Sequence, residues 1–95
     1  MIYNLDFKPK ALKEWSKLDT RIKLQFKKKL NERVENPRII KNKLSGYSNV
    51  YKIKLRSSGF RLVYEVKDEE IVVLVLSVGK RENNKVYNKL EDRIK

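Results

Sequence analysis

The sequence predicts a small α+β protein in which one strand and a helical hairpin precede an antiparallel sheet. Residues 2–7 alternate between apolar and polar positions, which indicates an opening strand. Two segments with apolar residues at helical spacing follow, and three short strand-like stretches then lie between residues 51 and 78. Residues 84–94 return to helical spacing. The expected order is therefore an N-terminal strand, a helical hairpin, a three-stranded antiparallel meander and a C-terminal helix.

The composition points to one small intracellular domain. The 95 residues are predicted to form a single domain over residues 1–95, because so short a chain has little room for a second hydrophobic core. Cysteine is absent, which excludes disulfides and thiolate metal sites, and no apolar stretch approaches the length of a membrane span. The N-terminus lacks the features of a signal peptide. We therefore expect a cytoplasmic protein with no membrane partner.

The absence of histidine limits the chemistry that the chain can perform. Histidine is the commonest general acid or base near neutral pH and the commonest metal ligand, so any catalysis must use other groups. The carboxylate cluster at residues 68–70 lies between two strand-like stretches, where a solvated turn is the favoured interpretation. We expect neither a metal nor a cofactor.

Two helices are predicted between the first strand and residue 36. Pro9 suits the first turn of the first helix, and Asp19 is a plausible N-cap of the second. The dipeptide Asn36-Pro37 ends the second helix. The apolar faces, which we assign to the core, comprise Ala11, Leu12, Trp15 and Leu18 in the first helix and Ile22, Phe26, Leu30 and Val34 in the second, with Tyr3, Leu5 and Phe7 on the first strand.

The three strand candidates cover residues 51–56, 60–66 and 71–78. The third, IVVLVLSV, is almost continuously apolar, which is typical of a central strand covered on both faces. Residues 38–49 form a basic, polar connection that we expect to be a loop. The last helix is predicted over residues 84–94.

The first two strand candidates form a hairpin whose register is predicted from parity. We expect Ser57 to lie opposite Phe60 across a two-residue turn, which places Arg56 opposite Arg61. Tyr51, Ile53, Leu55, Leu62, Tyr64 and Val66 then share an apolar face, and Lys52, Lys54, Arg56, Arg61, Val63 and Glu65 share the other. A slip by one residue would bury charge and is disfavoured.

Positive charge indicates an anionic partner. The chain has 24 Lys and Arg against 12 Asp and Glu, a net charge of +12, and nucleic acid is the default partner for such a chain. A Lys-rich strand face can also be merely solvated or protect an edge. A further basic pair, Lys80-Arg81, follows Gly79 at the end of the central strand, so Arg81 is expected near Lys54 and Arg61. For Tyr87, spacing alone favours a place in the core.

Several segments together resemble the RelE family of bacterial and archaeal toxins from toxin–antitoxin pairs. These are NLDFKPKALKEWSKLD, QFKKKL, KNKLSG, YKIKLRSSGFRLVYEV and SVGKRENNKVY, which span residues 3–87. YKIKLRSSGFRLVY together with VGKRE is the most specific part. The resemblance implies a fold of the microbial-RNase type with the order of elements given above. Phe60 and Ser45 depart from the family pattern, which has Tyr at the first position in close relatives and a basic residue at the second in some.

The resemblance also implies an activity, a site and partners. The activity is cleavage of messenger RNA in the ribosomal A site, without metal, by attack of the ribose 2′-OH on the adjacent phosphate. The functional positions of the family fall on Lys52, Lys54, Arg61, Arg81 and Tyr87, and we add Arg56 and Lys80 as RNA-binding residues. The implied partners are mRNA on the 30S subunit with its 16S rRNA, and an acidic, RelB-like antitoxin that neutralises the site or displaces the last helix.

Cations must perform most of the chemistry in such a site. A lysine near its reference pKa of about 10.4 is a poor base at neutral pH, but neighbouring cations lower its pKa. Lys54, flanked by Lys52, Arg56 and Arg61, is therefore the candidate base, and Tyr87 remains an alternative. Arg61 is expected to hold the nonbridging phosphate oxygens. The resemblance assigns Arg81 to the leaving oxygen, and Tyr87 would orient the 2′-OH or stack on a base.

Two other functions are compatible with the sequence. The basic face could serve a non-catalytic module that binds RNA or the ribosome. A toxin of the related ParE type, which poisons DNA gyrase on the same fold, resembles the chain less, because that branch typically lacks the Lys/Arg set on the hairpin.

Overall fold

The computed structural model describes residues 2–80 and Arg93. This part of the chain contains β1 (Asn4–Phe7), α1 (Pro9–Ser16), α2 (Thr20–Arg33), a short 3₁₀ turn (Ile40–Asn42), β2 (Val50–Leu55), β3 (Phe60–Lys67) and β4 (Val72–Lys80). The order of one strand, two helices and three strands confirms the sequence prediction. The helix predicted over residues 84–94 lies outside the described residues, apart from Arg93.

The strands form one mixed sheet in the order β1-β4-β3-β2. β2, β3 and β4 make the predicted antiparallel meander, whereas β1 runs parallel to β4. β4 therefore lies between two strands, and its residues 73–78 are buried. The apolar run in the sequence reflects this central position.

Both helices pack on one face of the sheet, where the main core lies. Ala11, Phe26 and Leu30 are buried there against the apolar face of β2 and β3. Trp15 lies between Phe7 and Phe26, with ring centroids 5.3 and 6.2 Å away. The core assignment of Trp15 and Phe26 is therefore confirmed.

α1 and α2 both begin where the sequence predicted. Pro9 is the first residue of α1, where its missing N–H costs no hydrogen bond. Asp19 caps α2, because its side chain accepts a hydrogen bond from the Arg21 backbone N–H at 3.4 Å.

Two apolar residues predicted to face the core are exposed instead. Leu5 is 41% exposed and Leu12 is 52% exposed. Tyr3 and Phe7 pack against the core, whereas Leu5 does not. β1 is an edge strand, so one of its sides has no neighbouring strand in the sheet. Leu12 lies on the flank of α1 beside the fully buried Ala11.

The second face of the sheet also has a small apolar cluster. Val50, Val63, Leu74 and Leu76 are buried there, with Leu44, Tyr47 and Val72 packed against them. The connection at residues 38–49 folds over this face, and the Leu44 N–H donates to the Val50 carbonyl at 2.9 Å. The face predicted to carry mostly charge is therefore partly apolar and covered.

An ionic cluster holds this connection at the end of the sheet remote from the hairpin turn. The Arg38 guanidinium donates to both carboxylate oxygens of Asp68, at 3.0 and 2.6 Å, and the Tyr3 hydroxyl donates to Asp68 at 2.7 Å. The hydrogen bond from Arg38 lowers the pKa of the Asp68 carboxyl below its usual value, with a further contribution from Tyr3. Asp68 is exposed in a turn, as expected for residues 68–70.

Arg93 makes a second ionic contact, on the side of α1. Its side chain is buried and donates to Glu14 at 2.7 and 3.2 Å and to the Leu76 carbonyl at 2.8 Å. The same carboxylate accepts a hydrogen bond from the Val78 backbone N–H at 3.1 Å. Glu14 thus links α1, β4 and the chain at Arg93.

Within the described residues, no group of acidic side chains is arranged to hold a metal ion. Neither α1 nor α2 has the length and apolar composition needed to cross a membrane.

Candidate active site

The hairpin register differs from the predicted one by two residues. Leu55 lies opposite Phe60 and Lys54 opposite Arg61, so the expected pairs of Ser57 with Phe60 and Arg56 with Arg61 are wrong. The turn contains four residues, 56–59, and is closed by a hydrogen bond of 2.9 Å from the Gly59 N–H to the Leu55 carbonyl. Gly59 has a φ of 77°, which glycine adopts without strain. This turn moves Arg56 out of the strand and away from direct opposition to Arg61.

Because the shift is an even number of residues, the predicted faces are retained. Tyr51, Ile53, Leu55, Leu62, Tyr64 and Val66 all belong to the main core, as expected. Lys52, Lys54 and Arg61 lie on the other face, since directly opposed residues share a face and so do residues two apart along a strand.

The register places Lys54, Arg61 and Gly79 side by side across three strands. Lys54 pairs with Arg61, and Arg61 pairs with Gly79. Directly opposed Cβ atoms in such a ladder are about 5 Å apart, so Lys54 and Arg61 are close neighbours. Lys52 follows in the next row, opposite Val63. The structure therefore brings together three of the five predicted catalytic residues.

Electrostatic repulsion acts on Lys54 as the sequence predicted. The positive charge of Lys52 is the main cause that lowers the pKa of Lys54, followed by partial desolvation and by the charges of Arg61 and Arg56. Lys54 is exposed, so a substrate can reach its ammonium group. The neutral amine, which is the form able to accept a proton, is therefore favoured relative to that of an isolated lysine.

Arg61 is held rigidly for a charged residue. Its exposure is only 6%, although the sequence suggested a solvated face. One of its guanidinium nitrogens donates to the Phe60 carbonyl at 3.1 Å. A buried planar guanidinium loses little further entropy when it binds an anion, so Arg61 is suited to a fixed phosphate contact.

Gly79 lies opposite Arg61 in the ladder, in a position where a regular strand does not need glycine. Among the described glycines, only Gly46 and Gly59 have positive φ, so the backbone at Gly79 does not require glycine. The irregularity in the ladder lies between Val63 and Tyr64, so no bulge explains Gly79 either. A glycine inside a regular strand marks close approach by a ligand or by another part of the chain.

A buried polar contact supports the strand that carries the two lysines. Arg33, in the last turn of α2, donates to the Tyr64 hydroxyl at 3.0 Å and to the Lys52 carbonyl at 3.4 Å. Tyr64 in turn donates to the Pro37 carbonyl at 2.6 Å. Sequence reasoning missed Arg33 and Tyr64 as supporting residues, because contacts between such distant segments leave no periodic signal.

The other predicted site residues have different positions. Arg56 is exposed in the turn next to Lys54. Lys80 lies opposite Phe60, one residue along β4 from Gly79. Its ammonium is 5.5 Å from the Phe60 ring centroid. It does not join Lys54 and Arg61. Arg81 and Tyr87 lie outside the described residues.

Comparison with known proteins identifies the family. A family model described as the ParE toxin of the type II toxin–antitoxin system parDE matches residues 5–85. The chain is 58% identical over 94 residues to the mRNA interferase toxin RelE of Escherichia coli, with 99% of each chain covered.

Solved structures of relatives agree in both fold and sequence. A double mutant of the E. coli toxin RelE in the free state superposes with a TM-score of 0.93 at 57% identity, covering 100% of both chains. The intact E. coli RelBE toxin–antitoxin complex contains a chain that matches with a TM-score of 0.80 at 62% identity, covering 82% of this chain and 95% of that one. These similarities extend over nearly all of the chain, and the predicted α+β fold is confirmed. The protein therefore belongs to the RelE family of toxins from type II toxin–antitoxin systems.

Proposed function

We propose that the protein is the toxin of a type II toxin–antitoxin pair and that it acts as an endoribonuclease on messenger RNA. The single observation that supports this most directly is the row formed by Lys54, Arg61 and Gly79, with Lys52 beside it. The row offers a proton acceptor and an anion-binding group on one face of the sheet. The substrate would be mRNA in the A site of the 30S subunit, so the protein would act in the cytoplasm, where ribosomes translate.

Lys54 removes the proton in the proposed reaction. Its amine accepts the proton of the ribose 2′-OH, the 2′ oxygen forms a bond to the adjacent phosphorus, and the bond from phosphorus to the 5′ oxygen breaks. The products are a 2′,3′-cyclic phosphate and a 5′-OH end. The positive charge of Lys52 lowers the pKa of Lys54 and so raises the fraction of neutral amine relative to an isolated lysine. Tyr87 remains an alternative base.

Arg61 and Lys52 stabilise the charge that develops on phosphorus. The Arg61 guanidinium would donate to the nonbridging oxygens, which gain charge in the pentacoordinate transition state. Lys52, half-buried in the next row, adds positive potential. Arg81 is assigned to the leaving 5′ oxygen on the resemblance alone. Arg56 in the turn, and Lys80 at the end of β4, would bind RNA outside the reacting atoms.

The proposed protein partner is an acidic antitoxin of the RelB type. The E. coli relative has been crystallised with RelB, and the net charge of +12 gives this chain the complementary sign. Binding of an acidic segment over Lys54 and Arg61 would exclude the phosphate from the site.

The experiment that tests this function maps new 5′-OH ends on a message carried by translating ribosomes. We expect wild-type protein to produce discrete cuts on ribosome-bound message. Lys54→Ala should abolish the cuts and leave the far-UV circular dichroism spectrum unchanged. Lys10→Ala, an exposed lysine on α1, is the matched control and should cut normally. Intact message with wild-type protein, or normal cutting by Lys54→Ala, would refute the proposal.

The matching family model is that of the ParE toxin, and the resemblance to the ParE branch implies one other function, the poisoning of DNA gyrase. A supercoiling assay with purified gyrase separates the two functions. Inhibition of supercoiling without any cutting of message would support the gyrase function. Inhibition of translation without new 5′-OH ends would instead indicate a non-catalytic ribosome-binding module.

A further inference from the structure

A long groove runs along the outer edge of β2, between this strand and α2. It consists of two adjoining cavities of about 620 and 540 Å³. Both cavities are lined by Lys29, Glu32, Lys54 and Arg56. The first extends along α2 to Gln25, and the second extends to the 3₁₀ turn at Lys41. The candidate base therefore lies where the two cavities meet, and the groove extends from it in both directions.

The walls of the groove are strongly positive. Six cations from three segments line the two cavities, with one carboxylate, Glu32; these cations are Lys28, Lys29, Arg33, Lys41, Lys54 and Arg56. The ion pairs formed within residues 2–80 and Arg93 involve Arg38, Lys67 and Arg93, none of which lines the groove. The groove cations thus have no carboxylate partner in this part of the chain.

A lysine-rich helix face is usually only a solvated surface, but two observations separate this groove from that case. First, the positive side chains come from α2, from β2 with its turn, and from the 3₁₀ turn, and they face one common trough. Second, the trough contains Lys54, where the proposed reaction takes place. An RNA strand bound at Lys54 must continue in some direction, and the groove offers a complementary path.

We propose that the groove binds the backbone of the cleaved RNA strand next to the scissile phosphate. This inference rests on the proposed function. From Gln25 to Glu32, α2 rises by about 10 Å, at about 1.5 Å per residue. That length accommodates a short segment of a single strand. Exposed lysines contact phosphates rather than base edges, so the subsite holds the strand without reading its sequence.

The lining favours nucleic acid over an acidic peptide. Leu55 and Ile39 are the aliphatic residues among those that line the two cavities. A helical peptide that docks in a groove needs a continuous apolar contact in addition to charge. A phosphate backbone needs only a series of exposed cations, which the groove supplies.

The decisive variant is Lys28→Ala/Lys29→Ala in the full chain. Its matched control is Lys10→Ala/Lys13→Ala on α1, which removes the same charge from exposed helical positions outside the groove. Both pairs exchange lysine for alanine, another good helix former, so we expect both variants to fold. Equilibrium binding to a short fluorescein-labelled oligouridylate, deoxy-substituted to prevent cleavage, is measured by fluorescence anisotropy over a range of salt concentrations.

We expect the groove variant to bind this RNA roughly 3- to 20-fold more weakly than the control variant, because it lacks two exposed contacts with phosphates. The slope of log affinity against log salt should fall by about 1.4, because each contact with single-stranded nucleic acid contributes about 0.7. On ribosomes, its cleavage rate at saturating message should equal that of the control. Because the anisotropy measurement requires no cleavage, it gives a result even if the proposed catalytic function fails.

Three outcomes would overturn the subsite. The first is equal RNA affinity and equal salt slopes for the two variants. The second is a weaker interaction of the groove variant with an acidic antitoxin peptide while its RNA affinity is unchanged, which would make the groove a protein interface. The third is a fall in cleavage rate at saturating message with unchanged affinity, which would place the two lysines in the chemical step.

Discussion

Removal of the Glu14 carboxylate should destabilise the protein strongly. Glu14 accepts two hydrogen bonds from Arg93 and one from the Val78 N–H. The Glu14 side chain is 19% exposed and the Arg93 side chain is 8% exposed. Glu14→Ala leaves the Arg93 guanidinium buried without this carboxylate. Removing one partner of a buried ion pair costs about 3–5 kcal/mol, and the partial exposure of Glu14 favours the lower end, about 3 kcal/mol.

This loss translates into a large change in melting temperature. A domain of this size loses about 4–8 °C per kcal/mol, so Glu14→Ala should melt roughly 12–24 °C below the wild type. The assay is thermal unfolding followed by circular dichroism. The control is Lys13→Ala, an exposed position on the same helix, which should change the free energy of unfolding by less than about 0.5 kcal/mol.

A double-mutant cycle isolates the contact itself. In the background of Arg93→Met the buried guanidinium is absent, so Glu14→Ala should cost at least about 1 kcal/mol less than it does in the wild type. Additive effects of the two changes would refute the inference that the pair is coupled. A Glu14→Ala variant that melts like Lys13→Ala would refute it as well.

Three further predictions concern the site and the ionic clusters. Lys52→Ala removes the main cause of the low pKa of Lys54, so that pKa rises and the acid limb of the single-turnover pH–rate profile should move to higher pH; an unmoved limb would exclude Lys54 as the base. The pKa of Asp68 is lowered in the folded state, so its contribution to stability is present above the unfolded pKa of about 3.9 and is lost as pH falls through the folded value. Asp68→Asn should therefore lower the melting temperature at neutral pH, and the difference from the wild type should shrink as the pH falls below the unfolded value; a difference that does not depend on pH would contradict this assignment. Gly79→Ala adds a methyl group directly opposite Arg61 at a backbone position whose φ is not positive, so we expect reduced cleavage of message; undiminished cleavage would show that the substrate does not approach the chain at Gly79.

Periodicity predicted most of the fold. The alternating and continuous apolar runs identified β2, β3 and β4 and the central place of β4, because burial on one or both faces imposes these patterns directly. Cap chemistry likewise located the start of α2 at Asp19.

Such patterns could not predict the register of the hairpin. Parity distinguishes the two faces of a strand but not registers that differ by two residues, so both registers fit the sequence equally well. The choice depends on the turn, where Gly59 allows a four-residue loop closed on Leu55. The faces, and with them the grouping of Lys52, Lys54 and Arg61, were therefore predictable, whereas the pair partners were not.

Polar contacts between distant segments were not predictable at all. Arg33 with Tyr64 and Glu14 with Arg93 join parts of the chain that the fold alone brings together. The burial of Arg61 was not predictable either, because strand periodicity assigns it to a face without indicating how far that face is covered. The roles of Arg81 and Tyr87 remain predictions.

The parallel pairing of β1 with β4 has a consequence for the timing of folding. β1 is the first strand to leave the ribosome, yet its partner β4 is the last strand among the described residues. Pairing over such a separation must wait for nearly the whole chain and carries a large loop-closure cost. The pairing of β1 with β4 is therefore expected to form late in folding, after the local contacts of the hairpins.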